Sequence, residues 1–365
     1  MKNTKLIFIG GFLGAGKTTA IAALGDMFRR EGKTVAVITN DQTEQLVDTA
    51  LLRKAGFPVG EVTSGCFCCH FHSLEDQLEA LLDTARPDVI LAEPVGSCTD
   101  LLSTVIKPFS AGKATVNLDV APLSVLVDAR RLLSFRDSET GPFQNPEVSY
   151  VFFKQLEEAE QIILSKADLL SPAEQEEALA MIEEKAPGRP CLLVSAKEGE
   201  GMDRWRKTLL GTADAARPSP AVDYDIYAAG EAALAWLNCA AELTAADPFS
   251  PDAFLTSLCG GLYDALSDAG AETAHLKACL SAPGGAFAKV SCTGSGAPLR
   301  TDAAAPDPAR QGHLTLNLRV NCAPETAKDL VLTHLEKASR ALSVSVRTQA
   351  LDCFAPAYPN PVFRM

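Results

Sequence analysis

Through the first two hundred residues, short apolar runs alternate with stretches of helical period. The runs at Leu6-Ile7-Phe8-Ile9 and residues 34–39, 89–92, 123–127, 161–164 and 191–194 are continuous, not alternating, and read as strands buried on both faces. Residues 18–30, 42–55, 73–85, 151–159 and 172–184 read as helices between them. Two stretches break the pattern. Residues 57–72 hold Pro58, Gly60, Gly65 and three cysteines and read as a loop, and residues 137–148 read as an exposed loop. Strands alternating with helices predict an α/β fold, a doubly wound, mostly parallel sheet with its chemistry at the strand C-terminal ends.

The pattern changes after residues 212–222, TADAARPSPAV, which have the small, polar, proline-containing composition of a linker. Beyond it, residues 232–243, 275–281, 286–293, 313–321 and 342–351 read as strands and 251–269 and 323–341 as helices. Residues 295–311 read as a loop. The order β-α-β-β-β-α-β predicts a smaller α+β domain with an antiparallel sheet. The expected domains are therefore 1–211, the linker 212–222, and 223–365, with the last as the candidate for client or partner recognition.

The first loop carries the clearest chemistry. Gly11, Gly16, Lys17 and Thr18 fill the G-x-x-x-x-G-K-[ST] pattern between a strand and a helix. Gly14, Ala15 and Thr19 complete the cradle, whose backbone N–H groups point at phosphate oxygens. Lys17 would reach the β- and γ-phosphates and Thr18 would bind Mg²⁺. That pattern does not choose between ATP and GTP. Ser165-Lys166-Ala167-Asp168 follows a late strand, and a carboxylate there accepts two hydrogen bonds from guanine that adenine cannot give. Lys166 would pack over the base, and Ser195-Ala196-Lys197 would close over its edge.

Composition excludes more than it assigns. A net charge of −13 disfavours nucleic acid and anionic membranes as partners. No apolar run approaches the roughly 18 residues of a membrane span. The chain enters its first strand with no signal-like segment, so a cytoplasmic location is expected. Eleven cysteines, mostly scattered singly, do not suggest a disulfide scaffold. The exception is Cys66-Phe67-Cys68-Cys69-His70-Phe71-His72. Thiolates select Zn²⁺ and similar ions, and imidazole suits Zn²⁺, Co²⁺ and Ni²⁺. In an extended segment residues 66 and 68 face the same way, and a bend at 68–69 brings in the third sulfur. A fourth position is open to water, His70, Glu61 or a partner's ligand. His70 and His72 are alternatively caps of the helix starting near Ser73. Cys98, just past Gly96, could come near the cluster but reads better as a small residue starting a helix.

Four segments in this order, Gly11–Thr19, Glu61–Cys69 (EVTSGCFCC), Glu93–Gly96 (EPVG) and Ser165–Asp168, resemble the CobW/HypB/UreG family of P-loop GTPases, nearest its CobW-like branch. Residues 37–41, VITND, are similar to a segment of the urease accessory GTPase. The resemblance implies a GTP-hydrolysing metallochaperone that couples hydrolysis to delivery of Zn²⁺, Co²⁺ or Ni²⁺, with zinc the leading metal. It implies that Asp41 binds Mg²⁺, directly or through water. Glu93, in place of the usual aspartate, would orient the Mg²⁺ shell or the attacking water, and the Gly96 N–H would contact the γ-phosphate. The cysteine loop, lying between Asp41 and Glu93, would then change geometry between GTP and GDP. A target metalloprotein or cofactor-assembly protein is the implied partner, and a homodimer is possible. Two alternatives stay open: an accessory GTPase for corrinoid cofactor loading or enzyme reactivation, and a nucleotide-switched metal-sensing regulator.

Overall fold

The buried runs of the first half assemble into one sheet. A computed structural model describes residues 4–40, 47–63, 65–136, 138, 141–143, 145–294 and 298–365. In chain order, β1 (Lys5–Gly11), α1 (Lys17–Arg30), β2 (Val35–Asn40), α2 (Val47–Lys54), β3 (Val59–Val62), α3 (Phe71–Thr84) and β4 (Val89–Glu93) come first. A π-helical segment, Leu102–Ile106, runs into α4 (Lys107–Ser110). Then follow β5 (Asp119–Val120), β6 (Ser124–Asp128), α5 (Ala129–Leu133), α6 (Pro146–Glu158), β7 (Gln161–Ser165), α7 (Pro172–Lys185), β8 (Cys191–Val194), α8 (Met202–Thr208) and α9 (Tyr224–Ala232).

The strand order is β3-β2-β4-β1-β6-β7-β8, with β5 pairing β1, and every pairing is parallel. The two faces of β1 show why its sequence does not alternate. Ile7 and Ile9 join a core with Ile21, Leu24 and Phe28 of α1 and with Trp205 of α8. Phe8 points the other way, 6.2 Å between ring centroids from Phe67 and 6.1 Å from Phe109. Phe67 lies between the clustered cysteines, so the cysteine loop is anchored on the strand that leads into the phosphate loop.

Three expectations need correction here, and a fourth falls partly outside the described residues. Residues 57–72 are not all loop: residues 59–62 form β3, pairing with β2, and α3 begins at Phe71 instead of Ser73. Residues 137–148 are not simply exposed, because Phe143 is buried against Phe12 at 5.0 Å and α6 begins at Pro146. Residues 41–46 lie outside the described residues, so the helix expected from residue 42 is seen only as α2. Nor does the first compact unit stop at residue 211. It runs to Gly230 and takes in Tyr358–Met365. Pro and Ala in 212–222 suggested a break, but Ala213 N–H donates to Val120 O at 2.8 Å and Arg217 donates to Glu157 O at 2.8 Å, which bind the segment to the sheet domain.

The second unit centres on residues 231–357. It contains β9 (Ala235–Phe249), α10 (Pro251–Asp268), β10 (Glu272–Ser281), β11 (Phe287–Cys292), β12 (Arg300–Ala303), β13 (Ala309–Asn321), α11 (Pro324–Leu342) and β14 (Ser345–Phe354). The sheet is antiparallel in the order β12-β11-β10-β13-β9-β14. Leu314, Leu316, Leu318 and Val320 bury one face of β13 with Leu255, Leu258 and Leu262 of α10 and with Val331 and Leu335 of α11. The predicted α+β order gains one strand, because residues 300–303 of the expected loop pair with β11. Their run RTDA has no buried face, so hydrophobic period could not reveal it.

Candidate nucleotide site and metal centre

The phosphate loop turns where its glycines allow. Gly11, Gly14 and Gly16 have φ of 129°, 78° and 91°. A Cβ at Gly11 would lie 2.2 Å from Leu126 O, so β6 approaches too closely for any side chain. Lys17 Nζ donates to Gly11 O at 2.9 Å, which folds its ammonium over the loop. Arg131 donates to Leu13 O and lies over the Phe12 and Phe143 rings at 5.5 and 5.3 Å, fixing the loop from behind. Ala15 and Thr19 sit within and just after this turn, Ala15 buried and Thr19 exposed on α1.

The later motifs converge on the same loop. Thr18 Oγ1 donates to Glu93 Oε1 at 3.1 Å, at the end of β4. These are the two groups that would share a Mg²⁺ shell. Asp41, the third group expected there, lies outside the described residues. A Cβ at Gly96 would come within 2.7 Å of the Leu13 side chain and 3.0 Å of Leu13 N, so the EPVG turn packs directly on the phosphate loop.

On the other side, the Ser165 hydroxyl lies within donating distance of two carbonyls, Ala15 O at 2.7 Å and Val127 O at 3.1 Å, the nearer being that of the phosphate loop. Lys166 takes a left-handed conformation at φ 59° and pairs with Asp128 Oδ2 at 2.6 Å. Asp168 is exposed in the following turn. Ser195 is fully buried and its Oγ accepts from Glu198 N–H at 3.1 Å, which closes the turn that carries Ala196 and the exposed Lys197.

The cysteine loop is organised by Asn40, at the end of β2. Its carboxamide accepts from Phe67 N–H at 2.8 Å and donates to Val62 O at 3.0 Å and Gly65 O at 2.7 Å. The loop is then a helical turn and not an extended segment, since Cys69 N–H and His70 N–H both donate to Cys66 O at 3.1 and 2.9 Å. The turn brings Cys66, Cys68 and Cys69 Sγ within 4.8 Å of one another. Cys66 and Cys68 sulfurs are 2.7 Å apart and Cys68 and Cys69 sulfurs 3.8 Å apart. Hydrogen bonding to Cys66, then to Cys69 and Cys98, with burial added, pushes the Cys68 thiol well up. A soft cation that displaces the thiol protons fits this donor set.

The other candidate ligands are not in that group. Glu61 pairs with Arg53 at 2.7 Å. His72 is mostly exposed and its Nδ1 meets Glu75 Oε2 at 2.7 Å. His70 occupies the N-cap position of α3 but makes no side-chain cap bond, and its ring lies against Gly65, where a Cβ would be 2.1 Å from Nδ1. Neither histidine caps the helix in the way the sequence suggested.

A family model for the CobW/HypB/UreG nucleotide-binding domain matches residues 5–192. The chain belongs to the CobW/HypB/UreG family. It is 32% identical over 183 residues to the zinc chaperone YeiR of Escherichia coli, covering 48% of this chain and 50% of that protein. It is 29% identical over 193 residues to the zinc chaperone YjiA of the same organism, covering 51% and 57%. The matches thus span about half the length of these curated relatives. A Zn(II)-bound structure of the YjiA GTPase covers 94% of this chain and 99% of its own, at 16% identity and a TM-score of 0.38.

Several features of this CobW/HypB/UreG chain escaped sequence reasoning. Asn40 and Asp128 directly follow the runs 34–39 and 123–127 and carry no motif of their own, yet Asn40 holds the cysteine turn and Asp128 caps α5 by accepting from Arg130 N–H at 3.0 Å. Burial works against the Asp128 carboxylate, but the charges of Lys166 and Arg131 outweigh it and hold its pKa below the usual range. Residues 358–365 gave no signal, yet Asn360 N–H donates to Cys69 Sγ at 3.2 Å and Val362 N–H to Cys68 O at 2.9 Å. Among the described residues, no helix is long and apolar enough to cross a membrane.

Proposed function

We propose that this protein is a GTP-hydrolysing metallochaperone that carries a transition metal, zinc foremost, on Cys66, Cys68 and Cys69. One observation carries the reading. Three thiols converge on a turn that Phe67 pins to β1 and Asn40 pins to β2, the strands that run into the phosphate loop and toward Asp41. Membership of the family and the zinc-chaperone names of two relatives support it.

Gly11, Gly14, Ala15, Gly16, Lys17, Thr18 and Thr19 would hold the phosphates. Thr18, Asp41 and Glu93 would hold Mg²⁺ and orient the attacking water, and the Gly96 N–H would meet the γ-phosphate. Asp168, with Lys166 and the Ser195-Ala196-Lys197 turn, would choose guanine. The metal is cargo, given up to a target metalloprotein or cofactor-assembly protein that the second unit would recognise, in the cytoplasm. A nucleotide-dependent change in the cysteine loop would link GTP and metal affinities reciprocally.

The test is a zinc titration against a competing chelator with a nonhydrolysable GTP analogue or with GDP bound. Tighter zinc binding with the analogue is expected. Equal affinities in the two states would overturn the coupling.

A further inference from the structure

The three cysteines of the turn leave a tetrahedral cation one ligand short. A fourth sulfur approaches one of the three from another part of the fold. Cys98 Sγ lies 3.9 Å from Cys68 Sγ, and the two residues are 1% and 2% exposed. A tetrahedral zinc with bonds of about 2.3 Å to sulfur separates its sulfurs by about 3.8 Å. The Cys68–Cys69 and Cys68–Cys98 separations, 3.8 and 3.9 Å, already have that length. The Cys66–Cys68 pair, at 2.7 Å, must open to admit the ion, and Cys98, which is close to Cys68 but outside the group of three sulfurs within 4.8 Å of one another, must swing toward the other two.

We infer that Cys98 is the fourth thiolate of the cargo site, which makes it a closed four-sulfur site selective for a soft tetrahedral cation. The inference rests on the metallochaperone reading and specifies its ligand set. Three further features favour it. Cys98 is held in place: its N–H donates to Val95 O at 3.0 Å, and its carbonyl accepts from Gln155 Nε2 at 2.8 Å. Two of the side chains that could otherwise supply the fourth ligand are turned elsewhere, Glu61 to Arg53 and His72 to Glu75, which leaves His70 as the competitor. Asn360 N–H, donating to Cys69 Sγ at 3.2 Å, is the kind of outer partner that stabilises a metal-bound thiolate. Four thiolates favour Zn²⁺ over Ni²⁺, which accepts nitrogen and oxygen more readily. Gln155 Nε2 also donates to Gly96 O at 2.9 Å, so one side chain holds both the fourth sulfur and the glycine of the EPVG turn.

X-ray absorption of the zinc-loaded full chain tests the inference. The expected result is four sulfurs at about 2.3 Å in the wild type, and three sulfurs with one nitrogen or oxygen at about 2.0–2.1 Å in Cys98→Ser. In metal competition, Cys98→Ser should lose at least tenfold of the preference for zinc over nickel. Binding of a GTP analogue by the variant reports that it is folded, and the wild-type sulfur count stands whether or not the variant folds. Three sulfurs and one nitrogen in the wild type would overturn the inference in favour of His70 and leave the chaperone reading standing. A wild-type chain that binds no zinc would overturn both.

Discussion

The Asn40 carboxamide holds the Phe67 backbone: Oδ1 accepts from Phe67 N–H at 2.8 Å while Nδ2 spans Val62 O and Gly65 O. One buried side chain at the end of β2 thus fixes the turn that gathers the sulfurs. Removing it leaves one N–H and two carbonyls to find other partners, at about 1–3 kcal/mol for a group left unsatisfied. Asn40→Ala should weaken zinc binding roughly ten- to hundredfold, since 1.4 kcal/mol is about a factor of ten. Chelator competition measures this, with GTP-analogue affinity followed in parallel. An unchanged zinc affinity would show that the turn holds itself.

Asp168 is exposed in the turn after Lys166, whose ammonium is fixed by Asp128 at 2.6 Å. A carboxylate there suits two guanine donors, whereas a carboxamide suits one donor and one acceptor. Xanthine presents N1–H beside a carbonyl. Asp168→Asn should therefore lose at least tenfold in GTP affinity and gain affinity for the xanthine nucleotide. A GTP affinity unaffected by the change would remove Asp168 from the base site.

Glu158 is buried beside Asp100 and accepts from Leu102 N–H at 3.1 Å and Thr99 Oγ1 at 3.3 Å. Burial, partly offset by the Leu102 N–H and reinforced by the Asp100 carboxylate, pushes its pKa up to about 8 from an ordinary 4.5. The folded chain keeps a proton there that the unfolded chain has already released. Its contribution to stability is fully present below about pH 4.5 and is lost as pH rises to about 8. The steepest loss for one proton is about 1.4 kcal/mol per pH unit. Glu158→Gln should flatten this part of the stability curve and raise the melting temperature at pH 8. Parallel curves for the two proteins in thermal melts from pH 5 to 8.5 would refute the assignment.

Residues 358–365 lie over the cysteine turn. Besides the bonds from Asn360 and Val362, the Phe363 ring packs on Phe71 at 5.1 Å, Arg364 pairs with Asp100 at 2.9 Å and Met365 N–H donates to Ser103 O at 3.0 Å. A chain ending at Ala357 should expose Cys69, the half-buried sulfur of the cluster. Its labelling by a thiol reagent should quicken about tenfold, the loss of an opening cost on the order of 1.4 kcal/mol. Cys69→Ser in the same truncated chain identifies the signal. Equal labelling rates would mean that the segment does not shield the cluster.

The sequence by itself determined the parts of this protein whose physics is local. A phosphate cradle needs consecutive glycines and a lysine, and residues 11–18 contain them in order. Strands buried on both faces need unbroken apolar runs, and Leu6–Ile9 is one. The three sulfurs are neighbours in the chain, so their convergence was readable too, though the turn that brings it about was not. Tertiary structure alone decided what lies around them. Asn40, Cys98 and Asn360 are scattered along the chain, and their hydrogen bonds and sulfur contact exist only because parallel strands bring their C-terminal ends together and residues 358–365 return to the first unit. Period and spacing report neighbours within a few residues. A fourth ligand or a covering segment is set by strand order, which no local pattern encodes.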